Sequence, residues 1–180
     1  MNHIARWGFA LAFLPLVACS NNDVTPTAAT APPAMPAVNP ADAQFAMQAA
    51  ASDQFEIQSS QVALQKARSP RVKQFAQRMI DAHTQTTQQL TQIATAKGMT
   101  LTPTLDDQQQ KMLGDLQAMR GGSAFDRAYL HDQVVGHSMA VTAFQNEIAN
   151  GQDAEIKGFA QQTLPIIQNH LRDARRLGGR

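Results

Sequence analysis

Cysteine occurs once in the 180 residues, at Cys19, so no disulfide can form within the chain. A Cys-x-x-Cys-His heme attachment is absent for the same reason. Aromatic residues make up 6% and charged residues 16%, and both are sparse. With β-branched and aromatic residues scarce and Gln and Ala plentiful, strands are disfavoured and helices favoured. Lysines form no stripe, and the formal net charge is only +1, which excludes nucleic acid as a partner. No Gly-x-Ser-x-Gly elbow and no phosphate loop occurs, so the usual marks of nucleophilic and nucleotide chemistry are missing. The glutamates are Glu56, Glu147 and Glu155, and none begins a Glu-x-x-His. A di-iron centre of the ferritin type needs two such motifs.

Long hydrophobic runs are absent too. The strongest, "WGFALAFLPLV", follows the short positive start "MNHIAR". It is too short to span a membrane and suits a signal-peptide core. It closes in "LVAC", where Leu16 and small Ala18 precede Cys19, a pattern similar to the lipobox of bacterial lipoproteins. This predicts a signal peptide over residues 1–18, cleavage before Cys19 and lipidation of its thiol, an anchor that needs no spanning helix. Ser20 at the next position favours the outer membrane. The partner implied is thus the membrane, through the lipidated N-terminus. Residues 19–40, with five prolines among Ala and Thr, cannot build a core and read as an extended tether. At about 3.1 Å per residue its reach is on the order of 60 Å.

Helix start and stop signals punctuate the rest. Asn39-Pro40, Ser69-Pro70 and Ser123 open long helices, Gly98, Gly151 and Gly178-Gly179 close long helices, and Gly121-Gly122 closes a short one. A short helix begins near Thr104 and covers Leu105–Met119. Four long helices of about 40 Å each predict an all-α fold over residues 41–177. The expected architecture is an antiparallel four-helix bundle with the short extra helix in its central connection, and residues 178–180 as a tail. The length of that connection allows either a ferritin-like crossover or an up-down path.

Each long helix carries one ionisable residue on its apolar stripe. These are Glu56 in "Phe45, Ala49, Ser52, Glu56, Ser59, Ala63", then His83, His137 and His170. One carboxylate and three imidazoles suit Zn, Cu or Fe. Depth counted from the turn residues puts Glu56, His83 and His137 at one level. It puts His170 about five residues, or roughly 8 Å, further along, opposite His131. Two clusters are therefore expected: a candidate metal set Glu56–His83–His137, and a second group His131–His170. The other reading makes these residues hydrogen-bonded layers that fix helix register in a non-catalytic binding or envelope stress-related protein.

The stretches "SPRVKQFAQRMIDAHT", "AFDRAYLHDQVVGHSMAVTAF" and "AEIKGFAQQTLPIIQNHL" resemble the bacterial envelope family called domain of unknown function 4142. The resemblance implies a ferritin-like helical bundle without an established activity. It matches Glu56, Asp81, His83, Asp126, Tyr129, His137 and His170 to recurring family positions. The family often has an acidic residue just before the second-helix histidine; this chain has Ala82 there.

Overall fold

The computed structural model describes residues 38–179. The signal peptide, Cys19 and the tether up to residue 37 lie outside the described residues. Five helices form, α1 Pro40–Lys66, α2 Pro70–Ala96, α3 Asp107–Ala118, α4 Ser123–Asn150 and α5 Ala154–Leu177, with no strand among the described residues. None of these helices is long and apolar enough to cross a membrane.

The boundaries follow from local chemistry. Asn39 Oδ1 accepts from the Ala41 N–H at 2.8 Å, and Pro40 at the first helical position forfeits no needed donor. Asp106 and Gln109 form a reciprocal capping box at the start of α3. At the other end of α3, Lys66 Nζ reaches the carbonyls of Leu116 and Met119, placing a cation on exposed helix C-terminal oxygens. Helix α5 runs unbroken through Pro165.

Two helical hairpins result, α1 with α2 and α4 with α5, and each is closed by a three-residue connection. The hairpins pack so that α1 meets α4 and α2 meets α5. Each hairpin's first turn holds the connection of the other. Asp42 accepts from the N–H groups of Gln152 and Asp153, and Asp126 from those of Arg68 and Ser69. Helix α4 therefore starts at the α1–α2 connection, and residues 97–122 travel back along the length of the long helices. Within them α3 lies over α1 and α4, burying Leu113 and Leu116.

The core has two apolar parts. One gathers Val72, Phe75, Met79, Leu116, Phe125 and Tyr129 near the α1–α2 connection. The other gathers Phe45, Leu90, Phe144, Ile156, Phe159 and Ile167 near the α4–α5 connection. Each large side chain buried there contributes about 1.5–3 kcal/mol. Between the two parts lies a polar layer.

Candidate metal centre

The layer is built from the middle turns of the four long helices. His83 on α2 bonds through Nδ1 to Asp53 Oδ1 on α1 at 2.7 Å. The second carboxylate oxygen of Asp53 accepts from Thr86 at 2.8 Å and Thr87 at 3.1 Å. Those hydroxyls also lean on the His83 carbonyl. On α4, His137 Nδ1 donates to the carbonyl of Gln133 at 2.9 Å, with Glu56 Oε1 at 3.4 Å. Gln133 Nε2 donates to Glu56 Oε2 at 2.5 Å and lies 3.3 Å from Ser59 Oγ. Gly136 gives Glu56 its room, since a Cβ there would stand 2.9 Å from Oε1.

These bonds fix tautomers. With Nδ1 of His83 and His137 turned toward acceptors, the neutral form of each ring carries its lone pair on Nε2. Both Nε2 atoms are buried and have no hydrogen-bond partner, and so is Nδ1 of His170. The three rings surround one point, with centroids 5.5, 5.4 and 5.4 Å apart. One nitrogen from each lies within 4.8 Å of the others. Metal–nitrogen bonds of 2.0–2.1 Å place ligand nitrogens roughly 3.3–3.5 Å apart, so closure needs about 1 Å of side-chain movement.

Electrostatics separates the three rings. Burial pulls His83 down, but the hydrogen bond and charge of Asp53, with Glu56 behind, raise it overall. His137 falls well below the ordinary histidine value through burial and the charges of His83 and His170. His170 is pushed down to about 4 by burial, His83 and Arg78. Glu56 rises to about 7 because burial outweighs the help of His83 and Gln133. Two rings are thus held neutral at pH 7, as metal ligands require.

The grouping expected from depth counting is corrected in two places. His170 joins His83 and His137, while His131 is exposed and bonded to Asp132 at 3.3 Å, apart from the cluster. Glu56 lies against His137 and Gln133, and Asp53, absent from the expected set, is the direct partner of His83. The cause is the three-residue connections, which turn-residue counting charged to a helix. Asp53 and His83 are equidistant from Lys66 and Pro70, the helix ends flanking their connection. Measured from Asn150 and Ala154, His170 is only about three residues, roughly 4.5 Å, deeper than His137. Side chains lean toward their helix N-terminus, and in this antiparallel pair that tilts the two rings toward each other. The missed Asp53 had a signal: it is a carboxylate one turn before Glu56 on a helix otherwise rich in small residues. Of the other family positions, Asp81 is exposed and accepts from Gln77, and Tyr129 bonds to Ser60 at 2.8 Å.

The family described as Domain of unknown function (DUF4142) matches residues 27–177. The chain belongs to that family. No curated protein matches the chain. Among solved structures, a DUF305 fragment from Deinococcus radiodurans is similar with a TM-score of 0.71 and 14% identity, covering 80% of this chain and 99% of that one. CopM in its Cu(I)-bound form gives 0.63 and 19%, covering 75% and 93%. The conserved hypothetical protein rv2844 from Mycobacterium tuberculosis gives 0.60 and 19%, covering 77% and 91%. At these identities the likeness is one of fold. CopM itself has been seen in Ag-bound, Cu(I)-bound, Cu(II)-bound and apo forms.

Proposed function

We propose that this is a periplasm-facing outer-membrane lipoprotein, anchored at Cys19, whose helices form a ferritin-like four-helix bundle with α3 in the crossover. In this reading the bundle binds one transition-metal ion through His83, His137 and His170. The observation that carries it is the convergence of three buried imidazole nitrogens that have no hydrogen-bond partner. Leaving a buried polar atom unpaired costs about 1–3 kcal/mol, and a shared ion would satisfy all three at once. Asp53 and the Gln133 carbonyl supply the outer partners that fix ligating imidazoles. Three imidazoles without sulfur suit Cu(II) and Zn(II), and copper is the tighter by the general order of divalent affinities. The fold similarity to CopM supports the same choice.

A second reading rests on the hydrogen bonds that already cross the layer. Asp53 ties His83, Thr86 and Thr87, and Glu56 ties Gln133, as a register-fixing structural layer would. The test uses the full chain, purified without a His-tag, stripped with chelator and exposed to Cu(II) or Zn(II). Near-stoichiometric metal that raises the melting temperature, and that is lost in a His83→Ala, His137→Ala double variant, supports the ion site. At a hundredfold excess over Kd, binding adds about 2.7 kcal/mol to stability. Absence of metal, with the double variant merely less stable, leaves the structural layer.

A further inference from the structure

The two ends of the helix assembly differ sharply in charge. Every arginine among the described residues falls in one of three segments, 66–78, 120–127 and 172–176. Together the segments carry ten basic side chains against two acidic ones, Asp126 and Asp173, in a chain of net charge +1. Far apart in sequence, they are gathered by the fold at the end that holds the α1–α2 connection. The Gly122 N–H donates to the Lys66 carbonyl at 3.1 Å, and Arg78 Nη2 lies 3.4 Å from Asp173.

Between the segments opens a polar cavity of about 740 Å³, walled by Arg71, Arg78, Arg127 and Arg176 with Ser69 and Ser123. The two acids of these segments, of which only Asp126 lines the cavity, are already engaged. Asp126 accepts from the Arg68 and Ser69 N–H groups, and Asp173 pairs with Arg78 and Arg176. Arg71 and Arg127 have no acidic partner among the described residues. Helices α2 and α4 both begin at this cavity, and neither has a side-chain bond from its cap residue. Their positive dipole ends add to the field of the guanidinium groups.

We propose that this cavity binds a multiply charged phosphate anion, with Arg71 and Arg127 as its principal ligands. Guanidinium forks match phosphate oxygens in pairs, which lysine cannot do. The basic groups line a bounded hollow, not an extended stripe, so the ligand is a compact phosphate and not a nucleic-acid strand. Such a group occurs on a phospholipid headgroup and on a soluble polyphosphate. The inference is independent of the metal layer.

The test titrates the metal-free full chain with tripolyphosphate at low salt, and sediments it with vesicles of phosphatidylcholine with or without phosphatidylglycerol. Comparing the two vesicle compositions cancels any contribution of the N-terminal anchor. Tripolyphosphate is expected to bind with Kd on the order of 0.1 mM or tighter, and Arg71→Gln with Arg127→Gln to weaken it about tenfold or more. Arg71→Lys with Arg127→Lys, which keeps the charge, should recover only part of the binding. Lys157→Gln, at the opposite end, should leave it unchanged. A lipid source predicts selective sedimentation with phosphatidylglycerol that the double Gln variant loses; a soluble source predicts tripolyphosphate binding alone. The proposal is overturned if the wild-type chain binds neither probe, or if the double Gln variant, with unchanged helical circular dichroism, binds as tightly as wild type.

Discussion

The two helical hairpins share a frame and differ in their middles. Asp126 lies as far beyond Asp42 as Ile156 lies beyond Val72, Phe159 beyond Phe75 and Ala160 beyond Ala76. Each of the two aspartates secures the connection of the opposite hairpin, and each of the paired apolar residues is buried. At the polar layer the same interval pairs Asp53 with His137, Thr86 with His170 and His83 with Ile167. The first hairpin supplies both carboxylates and an imidazole whose pKa is raised; the second supplies two imidazoles whose pKa values are lowered. Caps and apolar positions thus set the frame twice over, and the layer between them carries the chemistry once.

The largest expected effect breaks the comparison by pH. In the metal-free protein Glu56 sits at about 7, above its ordinary 4.5. Between those values the folded chain keeps a proton that the unfolded chain has released, so this group lowers stability as pH rises. Glu56→Gln should therefore gain on wild type from pH 4.5 to 7, by up to about 3 kcal/mol. His170, on the second hairpin, has the opposite sign. Its folded value of about 4 lies below the ordinary 6.5, so the unfolded chain takes up a proton that the folded chain refuses. Its contribution rises with pH across that window, and His170→Asn should remove about 2 kcal/mol of acid sensitivity after allowance for its half-buried ring. Urea melts of the three proteins between pH 4.5 and 7.5 measure both slopes. Parallel curves would dismiss the assigned protonation states.

A smaller effect sharpens the contrast in how the rings are held. His83 depends on a side chain, Asp53, whereas His137 depends on a backbone carbonyl that no substitution removes. Asp53→Asn should weaken metal binding about 10–100-fold, the usual loss when an outer partner of a ligating histidine is changed. Competition titration with a chelator of known affinity reads it. An unchanged affinity would show that packing alone orients His83.

Much of the frame was legible in the sequence because caps, glycines and apolar spacing are local signals. Asn39-Pro40, Ser69-Pro70 and Gly151 mark helix ends to within a residue or two, and the apolar stripe that carries His137 faces inward, with Leu130 and Phe144 buried on the same helix. Lipidation of Cys19 and the tether rest on the sequence alone. The candidate site was harder, because it depends on the registration of one helix against another. A connection of three residues shifts each helix against its neighbour, and a count from the turn residue moved His170 out of the cluster and passed over Asp53, while Glu56 does lie against His137 in the layer. Helix α1 also hid Asp53 for a physical reason. Covered by α2, α4 and α3, it buries far more than one stripe, and Asp53, Ala46, Ala50 and Ser60 lie beyond the face that periodicity selects.

The smallest effect tests whether the shared frame is shared in energy as well as in geometry. Asp42 accepts from two N–H groups of the α4–α5 connection, Asp126 from two of the α1–α2 connection, and both carboxylates are buried. An amide in either place keeps one acceptor oxygen but turns a donor toward backbone donors and loses the charge assistance. Asp42→Asn and Asp126→Asn should each cost about 1.5 kcal/mol in thermal or urea unfolding. The two sites lie at opposite ends of helices about 40 Å long, so the double variant should lose the sum of the single losses. A large inequality between the single variants would mean that one connection is held mainly by its own packing. The hairpins would then correspond in sequence interval and hydrogen bonds, while only one of them relied on the other to stay closed.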